Sequence, residues 1–175
     1  MVAVFPSVVP EDRFIYVSVH DSLARPLFDE LAYEYGSRYA GLIKAEEISD
    51  ELQRYPVDAF APPHGAFVLL LRGGQAIAGG AFMRHADTGT AEFKRIWVSR
   101  SYRRQGLARR VLAELEAQAV RQRYTRVFLS TGPRQPEAIA LYQTSGYTLL
   151  SAHDFGEDEP PGYLFEKNLP TWQTG

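Results

Sequence analysis

The chain has 175 residues, 45% of them hydrophobic and 13% aromatic, with a formal net charge of −2. Length and composition suit one globular domain and exclude the disordered and fibrous classes. The near-neutral charge offers no field to gather nucleic acid or anionic membrane, and the absence of cysteine excludes disulfides, thiolate zinc sites and a cysteine nucleophile.

The N-terminal stretch MVAVFPSVVPEDRF lacks a basic segment followed by a long apolar one, so no signal peptide is expected. No apolar run approaches the ~20 residues of a membrane span. The expectation is a cytoplasmic protein with no membrane partner. RFIYVSVH (13–20) is rich in β-branched and aromatic residues and predicts a first strand. Asp21 and Ser22 then supply helix caps, and Leu23, Leu27, Leu31 and Tyr35 recur at helical spacing, with Pro26 tolerable in the first turn. ISDELQRY (48–55) predicts a short helix capped by Ser49 or Asp50, and VDAFAPPHG a loop.

AFVLLLRGGQAIAGGAFMRH predicts a hairpin that turns at Gly73–Gly74 and returns along a glycine-rich strand. TAEFKRIWVS is a further strand. From Leu107 the positions Ala108, Val111, Leu112, Leu115 and Ala119 mark one face of a long helix. RVFLSTG (126–132) predicts a buried strand, PEAIALYQTSG a helix closed by Gly146, and YTLLSAHDF another strand. An acidic loop, DFGEDEPPGY, precedes the last strand, YLFEKNL. The alternation of strand and helix in the middle of the chain implies crossovers and parallel neighbours, hence one α/β domain.

SYRRQGLARR (101–110) stands between a strand and the long helix. A helix start offers unpaired N–H groups and the positive end of the dipole, and Gly106 would let an anion approach the backbone. Arginines there add charge-assisted bonds to phosphate oxygens. The alternative is a solvated basic turn. Neither G-x-x-x-x-G-K-[ST] nor G-x-G-x-x-G after a strand occurs.

RRQGLA (103–108) resembles the [Q/R]-x-x-G-x-[G/A] signature of the GNAT superfamily of acyl-CoA-dependent N-acyltransferases. AEFKRIWVSRSYRRQGLARRVLAELEAQA and TGPRQPEAIALYQTSGYTLL extend the likeness over roughly residues 91 to 150. EYGSRY and FAPPHGAF are similar to a bacterial subgroup whose substrates are largely unassigned. The resemblance implies a single GNAT domain over residues 1–175, with 1–12 an N-terminal extension. Its fold would be a mixed, mostly antiparallel sheet with a central splayed pair of parallel strands, flanked by helices.

The resemblance also implies a site. The backbone of Ile96, Trp97 and Val98 would pair with the pantetheine arm of acetyl-CoA as an added strand. The pyrophosphate would meet N–H groups around Arg104, Gln105, Gly106, Leu107 and Ala108. Arg103 and Arg104 are its candidate charge partners, Arg109 less so. Ala108 replaces a frequent glycine, and Arg104 occupies a variable position often held by glycine.

Tyr142 matches a tyrosine near the cofactor sulfur, where a phenol can protonate or hydrogen-bond the departing thiolate. A tyrosine packed in the core is the plainer account. Glu92 matches a carboxylate used as base in some relatives; an ion pair with Lys94 or Arg95 is its plainer account. Strand alternation would put Glu92, Lys94, Ile96 and Val98 on one face.

The four histidines show no metal-ligand spacing, so no metal is expected. The implied activity is direct acetyl transfer to a primary amine of a small molecule or peptide, with a homodimer as a further expectation. Tyr33, Tyr35, Tyr39 and Phe60, or the acids Asp154, Glu157, Asp158 and Glu159, could meet the acceptor. The rival classes are an acyl-CoA sensor or protein-interaction module on the same fold, and a nucleic-acid binder. The net acidity and the lack of aromatics between the arginines argue against the last.

Overall fold

Among the described residues seven runs of extended chain pair into one sheet: β1 (Asp12–Tyr16), β2 (Ala66–Arg72), β3 (Gln75–Arg84), β4 (Thr90–Val98), β5 (Arg126–Thr131), β6 (Thr148–His153) and β7 (Gly162–Asn168). Four α-helices of the described residues accompany them, α1 (Arg25–Arg38), α2 (Ala45–Gln53), α3 (Leu107–Arg121) and α4 (Pro136–Thr144). The structure, a computed structural model, describes residues 11–172. The expected N-terminal extension therefore lies outside the described residues except at its end, where Asp12 already belongs to β1.

The strand order is β1-β2-β3-β4-β5-β7-β6, and every neighbouring pair is antiparallel except β4 and β5. The crossover through α3 sets β5 parallel beside β4, as a strand–helix–strand unit requires. The next crossover, through α4, leaves a one-strand gap that β7 fills antiparallel to both neighbours.

β2 is buried along nearly its whole length because helices cover both faces of the sheet there, which explains its unbroken apolar run. On one face Val111, Leu112 and Leu115 of α3 pack with Phe82, Phe93 and Phe165. On the other, Leu27 and Leu31 of α1 pack with Phe67, Leu69 and Trp97. The glycines of β3 admit these helices. A Cβ on Gly80 would lie 2.8 Å from Ile96 Cδ1 and 3.0 Å from Leu115 Cδ1, and one on Gly79 3.2 Å from Leu27 Cδ1.

Local boundaries differ from expectation in three places. β1 ends at Tyr16 rather than His20. Asp21 caps a single 3-10 turn, Ser22–Ala24, through Leu23 N at 2.9 Å, and α1 begins only after it. α2 starts at Ala45, so Ser49 and Asp50 lie inside it. Its first turn carries Glu46 and Glu47, and the Glu47 carboxylate closes the end by accepting from Lys44 N at 3.0 Å. Among the described residues no helix is long and apolar enough to cross a membrane. None of them form a group of three or more His, Cys, Asp or Glu that could hold a metal ion.

Candidate functional site

The parallel strands stay together for only four pairs, Thr90–Arg126 to Phe93–Leu129. Beyond Phe93 they part. The cause is a bulge in β4: the register against β3 slips between Gly79 and Ala81, and Arg95 takes φ 62°. A left-handed conformation costs a non-glycine residue about 1–2 kcal/mol. The bulge also breaks the expected alternation. Lys94 lies on the α1 side, its ammonium 4.9 Å from the centre of the Tyr55 ring. Ile96 and Val98 face α3, and Trp97 faces α1, donating from Nε1 to Glu30 at 2.7 Å. So Glu92 and Lys94 do not share a face with Ile96 and Val98.

Between the parted strands lies a cavity of about 630 Å³. Its wall includes Ile96 of β4, Ser130 and Thr131 of β5, Tyr142 of α4 and Tyr35 of α1. Tyr142 is 6% exposed, with ring centroids 5.7 Å from Tyr147 and 5.5 Å from Phe165. Burial, helped by Tyr35 nearby, pushes its phenol well above the ordinary tyrosine range. No hydrogen bond holds its hydroxyl among the described residues. Tyr39 also lines the cavity, its ring resting where a Gly132 side chain would be.

One end of β4 leads to the basic turn. Gly106 caps α3 with φ 73° and ψ 15° and no side-chain cap. An ideal Cβ there would meet nothing within 4 Å. The helix ladder starts with Arg110 N to Gly106 O at 3.3 Å, so the preceding N–H groups of the first turn have no partner within the helix. Arg104 is left-handed too, at φ 64°, a conformation that favours glycine.

The arginines divide by their partners. Arg103 pairs with Glu34 and donates to Val98 O. Arg109 holds the end of α4 through Thr144 Oγ1 at 2.6 Å and Thr144 O at 3.1 Å. Arg110 pairs with Asp12 at 2.7 Å. Arg104, exposed, has no side-chain partner among the described residues. Gln105 is steadied from behind, since Arg72 donates to its Oε1 at 3.2 Å while gripping Asp12 at 2.6 and 2.8 Å.

Hydrogen bonds from Arg72 and then Arg110 hold the Asp12 carboxyl well below the usual carboxylate range. Its stabilising contribution is therefore present above the unfolded value, about 3.9, and is lost as pH falls below it. The difference in thermal stability between wild type and Asp12→Asn is expected to shrink from pH 5 to pH 3. Melting curves over that range check it.

Glu92 is not in the cavity wall; it stands 3.9 Å from Lys94 Nζ, and Lys94 is in the wall. The carboxylates that line the cavity are Glu47, Glu51 and Glu159. His153 lines it as well, paired to Glu157 at 3.0 Å, whereas His64 sits against Arg84. Tyr33 is 60% exposed beneath Arg100, away from the cavity, and Phe60 is buried. Lys94, Arg95, Glu47 and Glu51 were not legible as site residues. The one available signal was a Lys-Arg pair inside a strand next to a buried tryptophan.

The model of the acetyltransferase (GNAT) family matches residues 25–147. The chain belongs to the GNAT acetyltransferase family. Among curated relatives, this GNAT domain is 28% identical over 136 residues to the IAA acetyltransferase of Azospirillum brasilense, covering 70% of this chain and 89% of that protein. It is 30% identical over 97 residues to the uncharacterized N-acetyltransferase YsnE of Bacillus subtilis, covering 54% of this chain and 64% of the relative. Two solved structures share the fold. The PaiA N-acetyltransferase of Thermoplasma acidophilum, in complex with coenzyme A, superposes with a TM-score of 0.69 at 17% identity, over 90% of this chain and 99% of that one. A GNAT-family acetyltransferase of Staphylococcus aureus gives 0.65 at 14% identity, over 91% and 100%.

Proposed function

We propose that this GNAT protein transfers the acetyl group of acetyl-CoA to a primary amine of a small molecule or peptide, directly within a ternary complex. What supports the reading most is one continuous arrangement. An uncapped helix start with an open glycine leads along a freed strand edge to a cleft whose wall includes a buried phenol. The residues fit the co-substrate: unpaired N–H groups at Leu107 and Ala108 suit a pyrophosphate. Gln105 and Arg103 are held in place beside them, and Arg104 is open to add charge. The β4 edge at Ile96, Trp97 and Val98 is not covered by β5, as an added strand requires. The thioester supplies an activated acyl carbon; the chain's residues orient it and manage protons.

Tyr142 serves as a hydrogen-bond donor to the departing sulfur. A thiol of ordinary acidity, near ~8.5, is a stronger acid than a phenol raised above ~10, so the phenol keeps its proton and shares it. Glu92 is proposed as the base that takes the amine proton, reached from the cavity past Lys94. Glu51, within the wall, is the carboxylate to compare.

Acetyl-CoA at about 100 times its Kd should add roughly 2.7 kcal/mol of stability. Thiol release over an amine library then separates an enzyme from a sensor: a thermal shift with no turnover on any amine would assign a sensing module. With a substrate amine in hand, Glu92→Gln should lower the rate most below the acceptor's pKa, while Glu51→Gln leaves the shape of the pH profile intact. The reverse pattern would move the base to Glu51.

A further inference from the structure

Arg95 has no task in the transfer described so far. Its side chain is 6% exposed, and its backbone is held left-handed at the bulge, a conformation retained only where the surroundings demand it. Among the described residues its guanidinium makes one hydrogen bond, from Nη2 to the Glu51 carbonyl at 2.7 Å. Nη1 stands 4.0 Å from the Glu51 carboxylate, beyond hydrogen-bond reach. That carboxylate is shared, since its other oxygen accepts from Arg54 at 3.4 Å. A guanidinium carries five N–H donors in a planar fork. Most of those on this buried cation have no acceptor among the described residues.

Arg95 lines two cavities, the cleft and a second one of about 780 Å³ framed by α1, α2 and the Val57–Phe60 turn. Phe28, Ile48, Leu52, Tyr55, Phe60 and Phe67 make the second cavity apolar. The other titratable side chains with a possible charge on its wall, His20 and Asp29, are exposed. On the cleft side Lys94 adds a second cation, against Glu47, Glu51 and Glu159. A buried fork with open donors beside an apolar chamber suits a carboxylate borne on a hydrophobic body.

We infer that the acceptor is an amine that also carries a carboxylate and an apolar group, the class of the hydrophobic α-amino acids. Arg95 receives the carboxylate, the α1–α2 chamber takes the apolar group, and the amine stays in the cleft. This rests on the acetyl-transfer reading above. The amine nitrogen bonds to the acetyl carbon and the carbon–sulfur bond breaks. The nitrogen's surplus proton leaves to a base, and the sulfur regains a proton through solvent.

Two measurements test it. In the first, thiol release with the full chain, L-phenylalanine should exceed both L-phenylalaninamide and phenethylamine in kcat/KM by about tenfold or more, the scale of one charge-assisted contact. In Arg95→Gln that preference should fall to within about twofold; Arg95→Lys, which keeps charge without the fork, should fall between. In the second, 3-phenylpropionate should raise the melting temperature of the wild type, and 3-phenylpropionamide should not. Should Arg95→Gln fail to fold, the wild-type comparisons decide alone. Equal kcat/KM for acid and amide, or equal shifts by the two ligands, overturns the inference while leaving acetyl transfer standing. An Arg95-dependent shift by the carboxylate with no turnover of any amine upholds the site and removes the transferase reading.

Discussion

Tyr142→Phe is expected to lower kcat by about 10²-fold, the lower end of what one positioned hydrogen-bond donor to a developing anion contributes, with the Kd for acetyl-CoA within about twofold of wild type. The substitution is a clean one. The Tyr142 hydroxyl has no protein partner among the described residues, so its removal leaves no other group unpaired. The ring keeps its packing against Tyr147 and Phe165. Because burial raises the phenol's pKa, its proton is present throughout the working pH range, and Tyr142 contributes no alkaline limb to the rate profile. Tyr147→Phe is the matched control. Its hydroxyl is buried without a partner among the described residues, so the variant should be slightly more stable and equally active. Steady-state kinetics and melting curves on both variants check the pair, and equal rates for Tyr142→Phe and wild type would take Tyr142 out of the mechanism.

Gly106→Val is expected to raise the Kd for acetyl-CoA by more than about tenfold, since it obstructs the helix-start anion site. It should also lower stability by at least the ~1–2 kcal/mol that a left-handed non-glycine residue costs. For a domain of this size that is a drop of several degrees, at about 2–4 °C per kcal/mol. Two effects combine: the branched side chain is strained at φ 73°, and its atoms enter space that is otherwise open. Gly106→Asn separates them. Asparagine tolerates the left-handed region, so stability should largely return, while its side chain still occupies the cradle and affinity stays low. Calorimetric titration beside thermal melts distinguishes the two. Restored affinity in Gly106→Asn would show that backbone strain, and not the open space, limits binding.

The elements around the proposed co-substrate site were legible because their causes are local. Helical spacing from Leu107 to Ala119 marks α3, all of whose predicted core positions but the half-buried Ala108 are buried. Gly106 at its start and Gly146 after α4 are positions where positive φ is needed, and both are met there. The Gly73–Gly74 turn and the parallel β4–β5 pair likewise follow from short-range pattern and chain handedness. α2 begins before the serine or aspartate expected to cap it because Glu47, three residues after Lys44, closes the helix start through its carboxylate on the Lys44 backbone N–H.

The proposed acceptor side was not legible, for reasons that are non-local. The bulge at Arg95 comes from a register slip against β3, and it reverses which face each later residue of β4 presents. Period-two alternation carries no trace of such a slip, so it predicts a shared face for Glu92 and Ile96 that the fold does not have. Which arginine stays open depends on acids 69 or more residues away: Glu34 holds Arg103 and Asp12 holds Arg110. The family signature, the glycine at the start of α3 and the tyrosine of α4 were readable from local pattern, because each rests on residues close in the chain. Where the strands part, which arginines find acids to pair with among the described residues, and the burial of Arg95 between two cavities came only from the fold, because burial and pairing are set by contacts between distant segments.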